Sequence, residues 1–224
     1  MTSRPLALMA KDLRLVFADG AGIVQPVLLG LILVFVFSLS TPVGEDVSPQ
    51  AAAAIFWLAT SFAVILVFNT LYSSEGANQS RIGLLLAPMP IQYIWMGKAL
   101  AGGVLLLMAQ AVFLPAIVVF LGQDQVVSWP GGIGSILLVD WGLVAVGSLL
   151  GAMSQGHSAR DSLLSVVIFP LLIPVLLAGI SMGSYFLGDG SGDDLRSWMG
   201  LVLAFNAMFT GAALLLFPFI YGEY

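Results

Sequence analysis

Long stretches of this chain carry no charged side chain, among them residues 21–44, 47–74, 99–123, 125–139, 141–156, 162–188 and 197–222. Crossing about 30 Å of hydrocarbon takes roughly 20 predominantly apolar residues in helical form. Several stretches meet that length alone, and the two that flank Asp140 meet it together. Inside a bilayer every backbone N–H and C=O must be satisfied within the protein, so an apolar run of this length reads as a transmembrane helix. Composition agrees, because only 8% of the 224 residues are charged, whereas a soluble domain usually carries about 25%. The fold class expected is an all-α integral membrane protein forming one domain, residues 1–224, with about six transmembrane helices. The spans are read as residues 22–40, 51–72, 99–121, 132–153, 162–184 and 198–220.

Residues 4–18 precede the first span. Leu6, Met9, Leu13, Val16 and Phe17 recur at helical spacing, with Arg4, Lys11 and Arg14 mostly on another face. That pattern predicts an amphipathic helix lying in the membrane interface, in contact with lipid. Span 1 ends in Ser38-Leu39-Ser40, which is like a small-residue cleavage site. The apolar run is longer than a signal-peptide core and more spans follow, so it is read as retained. Pro170 and Pro174 fall one turn apart in span 5 and predict a kink.

Lysine and arginine set the orientation. With the N-terminus inside, Arg4, Lys11, Arg14, Arg81, Lys98 and Arg160 all fall on the inner side, and only Arg196 is outside. Both termini are therefore expected in the cytoplasm. Tyr72, Tyr93, Trp95 and Tyr221 are expected at the inner interface, and Trp129, Tyr185 and Trp198 at the outer one.

Few residues offer chemistry. With no cysteine and one histidine, His157, there is no zinc set of the usual kind. No serine occupies a G-x-S-x-G elbow. Gly97-Lys98 lacks the preceding glycine of a phosphate-binding loop and is followed by Ala99 rather than Ser or Thr. Any work driven by ATP therefore needs a separate subunit to hold the nucleotide. Asp140 is the one ionisable residue deep within a span; burying it in lipid is costly, so it is expected to face protein or a water-filled cavity. It reads equally as a functional polar site or as a hydrogen-bonded packing residue. Gly147 and Gly151 form a small-xxx-small pair suited to close helix contact.

The longest polar stretch joins spans 2 and 3. It contains Glu75 and Arg81, then Leu84, Leu85 and Leu86, then Pro88 and Pro90, and leads to Gly97-Lys98. A short helix across the cytoplasmic face, spanning residues 74–87, fits this order, with Leu84 and Leu85 as apolar anchors and Glu75 and Arg81 as polar contacts. An ordinary loop with an interfacial leucine patch fits it too.

The same segment resembles the first cytoplasmic loop of the cytochrome c maturation permeases, the heme exporter protein B family. That family shows an acidic residue, a leucine-rich run, a proline break and a Gly-Lys pair, here Glu75, Leu84 to Leu86, Pro88 and Pro90, and Gly97-Lys98. Ile23-Val24-Gln25-Pro26 with the run to Ser40, and Ser162-Leu163-Leu164-Ser165 with the run to Pro174, are similar in character. One departure is clear: Gln79-Ser80-Arg81-Ile82-Gly83 stands where the family has a Gly-Thr/Ser-Leu-Glu sequence. The resemblance implies an ABC-2-type permease of the bacterial inner membrane that dimerises and docks two copies of an ATPase subunit. It also implies a heme-handling membrane protein and a periplasmic heme chaperone as partners, with release of the loaded chaperone linked to ATP hydrolysis. No cofactor is expected in this chain: ATP belongs to the partner subunit and heme is handled by the complex. No nucleic acid is expected as a partner. A generic ABC-2 exporter of lipid, drug or glycan shares the physical features, and an intramembrane enzyme using Asp140 or His157 is a reading of another class.

Overall fold

The computed structural model describes residues 4–42, 47–77, 83–84, 86–123, 126–154, 158–188 and 195–222, although the side chains of 19, 21, 74–77, 158–169 and 221–222 lie outside that description. Among the described residues the chain is all-helical. Helix α1 (Arg4–Asp19) is followed by α2 (Ala21–Ser40), α3 (Pro49–Ala77), α4 (Ile91–Phe120), α5 (Trp129–Ser154), α6 (Ser158–Leu187) and α7 (Leu195–Gly222). Six of them are long and apolar enough to cross a membrane: Gly22–Ser40, Pro49–Ser73, Ile91–Phe120, Trp129–Ser154, Pro170–Leu187 and Leu195–Ile220. The protein is a multi-pass membrane protein, as its uncharged stretches require.

Boundaries differ where breakers are absent. Helix α3 runs on to Ala77, so the first residues of the expected connecting helix belong to α3 instead. Helix α4 opens at Ile91, eight residues before the expected span 3, because Pro90 at its cap is the last residue that disrupts a helix. Pro170 and Pro174 both lie within α6, which continues through them. Between α1 and α2 the chain turns at Gly20, whose φ of 71° lies in the left-handed region that glycine enters without steric cost. The Gly20 N–H caps α1 by donating to the Val16 carbonyl at 3.0 Å.

The bundle is centred on α3 and α5, the most buried spans, while α2 and α7 are the least buried. Helix α3 touches α2, α4, α5 and α6, and α5 in turn touches α4, α6 and α7. Small residues explain the close centre. Ala52, Ala59 and Ala63 of α3 and Ala145, Gly147 and Gly151 of α5 are all buried, and the two glycines leave room for side chains of α3. On α2, by contrast, Leu28, Ile32, Val36 and Leu39 are exposed, as are Leu203, Leu215 and Phe219 of α7. Such apolar faces suit hydrocarbon or another transmembrane surface.

Helix α1 packs on α4 and more lightly on α2 and α3. Its inward side is formed by Leu8, Met9, Asp12, Leu13 and Val16, whereas Leu6 and Phe17 are exposed. The apolar stripe is thus rotated from the one the spacing suggests, and an acid sits at its centre.

Candidate functional site

The end of the bundle where α3 leads toward α4 holds the densest polar arrangement. Lys98, 1% exposed, lies about two turns inside α4. Its Nζ donates to the Leu71 carbonyl of α3 at 3.0 Å, approaches Asp12 Oδ2 of α1 at 3.7 Å, and lies 4.6 Å from the centre of the Tyr72 ring. Asp12 is buried as well and is also paired with Lys11, at 2.8 Å. A buried ammonium must be paired and hydrogen-bonded to be tolerated. Here the counter-charge comes from α1, the acceptor from α3 and an aromatic face from α3. Tyr72 extends the contact, its hydroxyl lying 3.0 Å from Ser148 Oγ of α5. One lysine therefore joins α1, α3 and α4, with α5 one hydrogen bond further.

Gly97 completes this junction. A Cβ there would sit 2.6 Å from Leu8 Cβ and 3.2 Å from the Pro5 carbonyl, so α1 packs where only a glycine leaves room. Further along, Arg4 Nη1 donates to the Pro88 carbonyl at 2.8 Å. Helix α1 is thus tied both to the connector before α4 and to α4 itself.

The connector holds most of the residues singled out from sequence. Glu75 lies in the last turn of α3, but its side chain is outside the described set; Arg81 and Leu85 lie outside the described residues altogether. Gly83 and Leu84 are helical, and Leu84 is half-buried against the core. Leu86 turns the other way and is 81% exposed. The chain then turns, with the Met89 N–H donating to the Ala87 carbonyl at 2.7 Å, before Pro90 opens α4. His157 lies outside the described residues.

Asp140 faces protein. It is 5% exposed, and Gln110 Nε2 of α4 donates to its Oδ1 at 2.7 Å. Thr60 of α3 stands 3.5 Å from the same amide nitrogen. Gly147 and Gly151, on the same side of α5, meet α3 of the same chain: a Cβ at Gly147 would sit 2.6 Å from the Phe68 ring, and one at Gly151 2.7 Å from the Tyr72 ring. The opposite side of α5 meets α7, where Asn206 Nδ2 donates to the Leu138 carbonyl at 2.8 Å and Trp141 Nε1 donates to Thr210 Oγ1 at 3.0 Å. Among the described residues no group of three His, Cys, Asp or Glu side chains could hold a metal ion.

A family model described as "CcmB protein" matches residues 3–223. The chain belongs to the CcmB family. It is 27% identical to heme exporter protein B of Paracoccus denitrificans over 219 residues, which is 95% of this chain and 94% of the relative. It is similarly 27% identical to heme exporter protein B of Pseudomonas aeruginosa over 172 residues, 77% of each chain. Against heme exporter protein B of Rhodobacter capsulatus the identity is 28% over 186 residues, covering 79% and 80%.

Two features of this CcmB-family chain escaped the sequence reading. Asp12 was not singled out, although it stands four residues from both Leu8 and Val16, which share its inward side. Gly97-Lys98 was weighed as a phosphate loop and rejected, although a lysine at the head of an apolar helix already calls for a buried partner. Tyr72 and Trp95, expected in an interfacial belt, are fully buried at this junction, whereas Trp129 is exposed.

Proposed function

We propose that this chain is the membrane-spanning permease subunit of an ABC assembly that exports heme, or releases a heme-loaded chaperone, in c-type cytochrome biogenesis. The observation that carries the reading is the family match over residues 3–223, to proteins named heme exporter protein B. The chain lacks a phosphate-binding loop, so a separate ATPase subunit supplies ATP hydrolysis. A second copy of the chain, a heme-handling membrane protein and a periplasmic heme chaperone complete the assembly. It lies in the bacterial inner membrane with both termini cytoplasmic, as the distribution of lysine and arginine favours.

In this reading the connector before α4 receives the ATPase subunit. Leu86 is an exposed apolar side chain held between α3 and the proline turn. A few buried apolar anchors supply most of the affinity of such a contact, while rim charges such as Glu75 and Arg81 set orientation. Helix α1, tied to Pro88 by Arg4 and to Lys98 by Asp12, carries displacement of the connector into α4 and α3. An intramembrane enzyme built on Asp140 loses support here: the hydrogen-bond partner of Asp140 is the Gln110 amide, which is neither a nucleophile nor a base.

The test is co-purification from detergent extract. Tagged wild-type protein is expected to bring down an ATPase and heme-handling proteins. Leu86→Asp costs the isolated bundle little, because the side chain is already exposed, yet it places a charge in an apolar contact. The variant is expected to insert normally, lose the ATPase and fail to support cytochrome c assembly. Retention of the ATPase at wild-type levels would move the docking site elsewhere, with the loop containing His157 and Arg160 the next to test.

A further inference from the structure

The proposed function makes no use of the polar pair in the middle of the bundle. Asp140 and Gln110 are 5% and 4% exposed and are joined by one hydrogen bond, from Gln110 Nε2 to Asp140 Oδ1. Their second oxygens, Asp140 Oδ2 and Gln110 Oε1, are both buried without a partner. A carboxylate and an amide carbonyl only accept hydrogen bonds. Two buried acceptors on one hydrogen-bonded pair, neither met by a donor from the protein, are a costly arrangement.

Charge makes the arrangement harder still to sustain for an ionised Asp140. Helices α3, α4 and α7 contact α5 and contain no charged residue within 47–74, 99–123 and 197–222; the same holds for α6 over 162–188 and for α5 itself on either side of Asp140. From α3 the neighbouring polar group is the Thr60 hydroxyl, and from α4 it is the Gln110 amide; both are neutral. The cation on α4 is Lys98, twelve residues away, or roughly 18 Å at the helical rise, and it is engaged with Leu71 and Asp12. Exchanging the amide oxygen and nitrogen of Gln110 does not help, because it sets a carbonyl against Oδ1 and leaves Oδ2 as before.

One proton resolves every part of this. We propose that Asp140 and Gln110 form an intramembrane proton-binding site, in which Asp140 is a carboxylic acid donating from Oδ2 to Gln110 Oε1 while Gln110 Nε2 donates to Oδ1. A planar acid and a planar primary amide present matched edges, each with one donor and one acceptor. The terminal torsions of Asp and Gln are broad, so the second bond closes by rotation within the site. The pair then ties α4 to α5 without any buried charge. The proton enters from water as the helices close, and it returns to water in any state that hydrates the carboxyl. A change between a dry and a hydrated bundle therefore carries this proton with it.

Infrared spectroscopy of the purified protein in lipid vesicles at neutral pH tests the site. The wild-type minus Asp140→Asn difference spectrum is expected to contain a protonated-carboxyl C=O stretch, and Gln110→Leu is expected to shift that band. The Asn variant reproduces the donor-and-acceptor edge of the acid, so its melting temperature should stay at the wild-type value, while Asp140→Val should melt lower. Carboxylate stretches in place of the acid band would overturn the proposal, including any that respond to exchange of sodium for potassium, which would mark a cation site. Equal melting temperatures for the Asn and Val variants would overturn it too.

Discussion

Lys98 and Asp140 are both buried ionisable residues in the same bundle, yet they are accommodated in opposite ways. Lys98 sits at the helix end where α1 can reach it, and it is met by a carboxylate, a backbone carbonyl and an aromatic face. Asp140 sits in the middle of α5, and it is met by the neutral amide of Gln110, whose nitrogen in turn lies 3.5 Å from the Thr60 hydroxyl. The difference follows from what the chain can deliver at each depth. Near the end of the spans, α1 is a polar-bearing helix that can turn an acid inward. At mid-span every neighbouring helix is free of charge, so a countercharge cannot be brought there without paying its own desolvation. Charge is balanced at the rim and neutralised at the centre.

Breaking the rim pair should give the largest effect. Asp12→Ala leaves the Lys98 ammonium buried with the Leu71 carbonyl and the Tyr72 face but without its carboxylate. Removing one partner of a buried pair typically costs about 3–5 kcal/mol; the effect here is expected toward the lower end, since 3.7 Å is a long contact and the carbonyl bond persists. Chemical denaturation in detergent measures it. Asp12→Ala with Lys98→Met should recover much of the loss, because neither charge then remains to be balanced. A double variant no more stable than the single one would show that Asp12 acts through packing alone.

The central pair should respond less. Gln110→Leu removes the amide and leaves Asp140 with unmet hydrogen-bonding groups, at a cost of about 1–3 kcal/mol. No ion pair is lost, so the change is expected to fall below that of Asp12→Ala in the same denaturation series. A larger loss than at Asp12 would mean that the centre, like the rim, holds a charge.

The smallest effect belongs to the edge of the rim site. Tyr72→Phe keeps the ring beneath Lys98 and removes the hydroxyl that meets Ser148, a bond worth about 1 kcal/mol. If the loss instead matches that of Asp12→Ala, the link from α3 to α5 matters as much as the ion pair, and the junction is larger than Lys98 and its neighbours.

Much of the fold was legible without coordinates. Long uncharged runs dictate helices, because lipid offers the backbone no alternative partner, and all six spans appear. Ends were less legible. The expected connecting segment from residue 74 begins as part of α3, since Ser73, Ser74 and Glu75 do not stop a helix, and α4 begins where the prolines end. In the site, Asp140 could be picked out because a lone acid in an apolar run is conspicuous. Asp12 could not, because a short amphipathic helix offers several near-equivalent faces, and the one chosen depends on what it packs against.

By itself, then, the sequence determined that the chain spans a membrane about six times, that it holds no nucleotide loop of its own, and that one acid lies deep in a span. These follow from local chemistry: hydrocarbon selects helices, and a motif is present or absent. Tertiary structure decided which helices are central, which way α1 faces, and which group answers each buried polar atom. The glycines of α5 are notches for Phe68 and Tyr72 of α3, Gly97 is the seat of α1, and Gln110 is the partner of Asp140. Those pairings join residues 30 to 92 positions apart, and no periodicity along a single helix encodes which of its faces meets which neighbour.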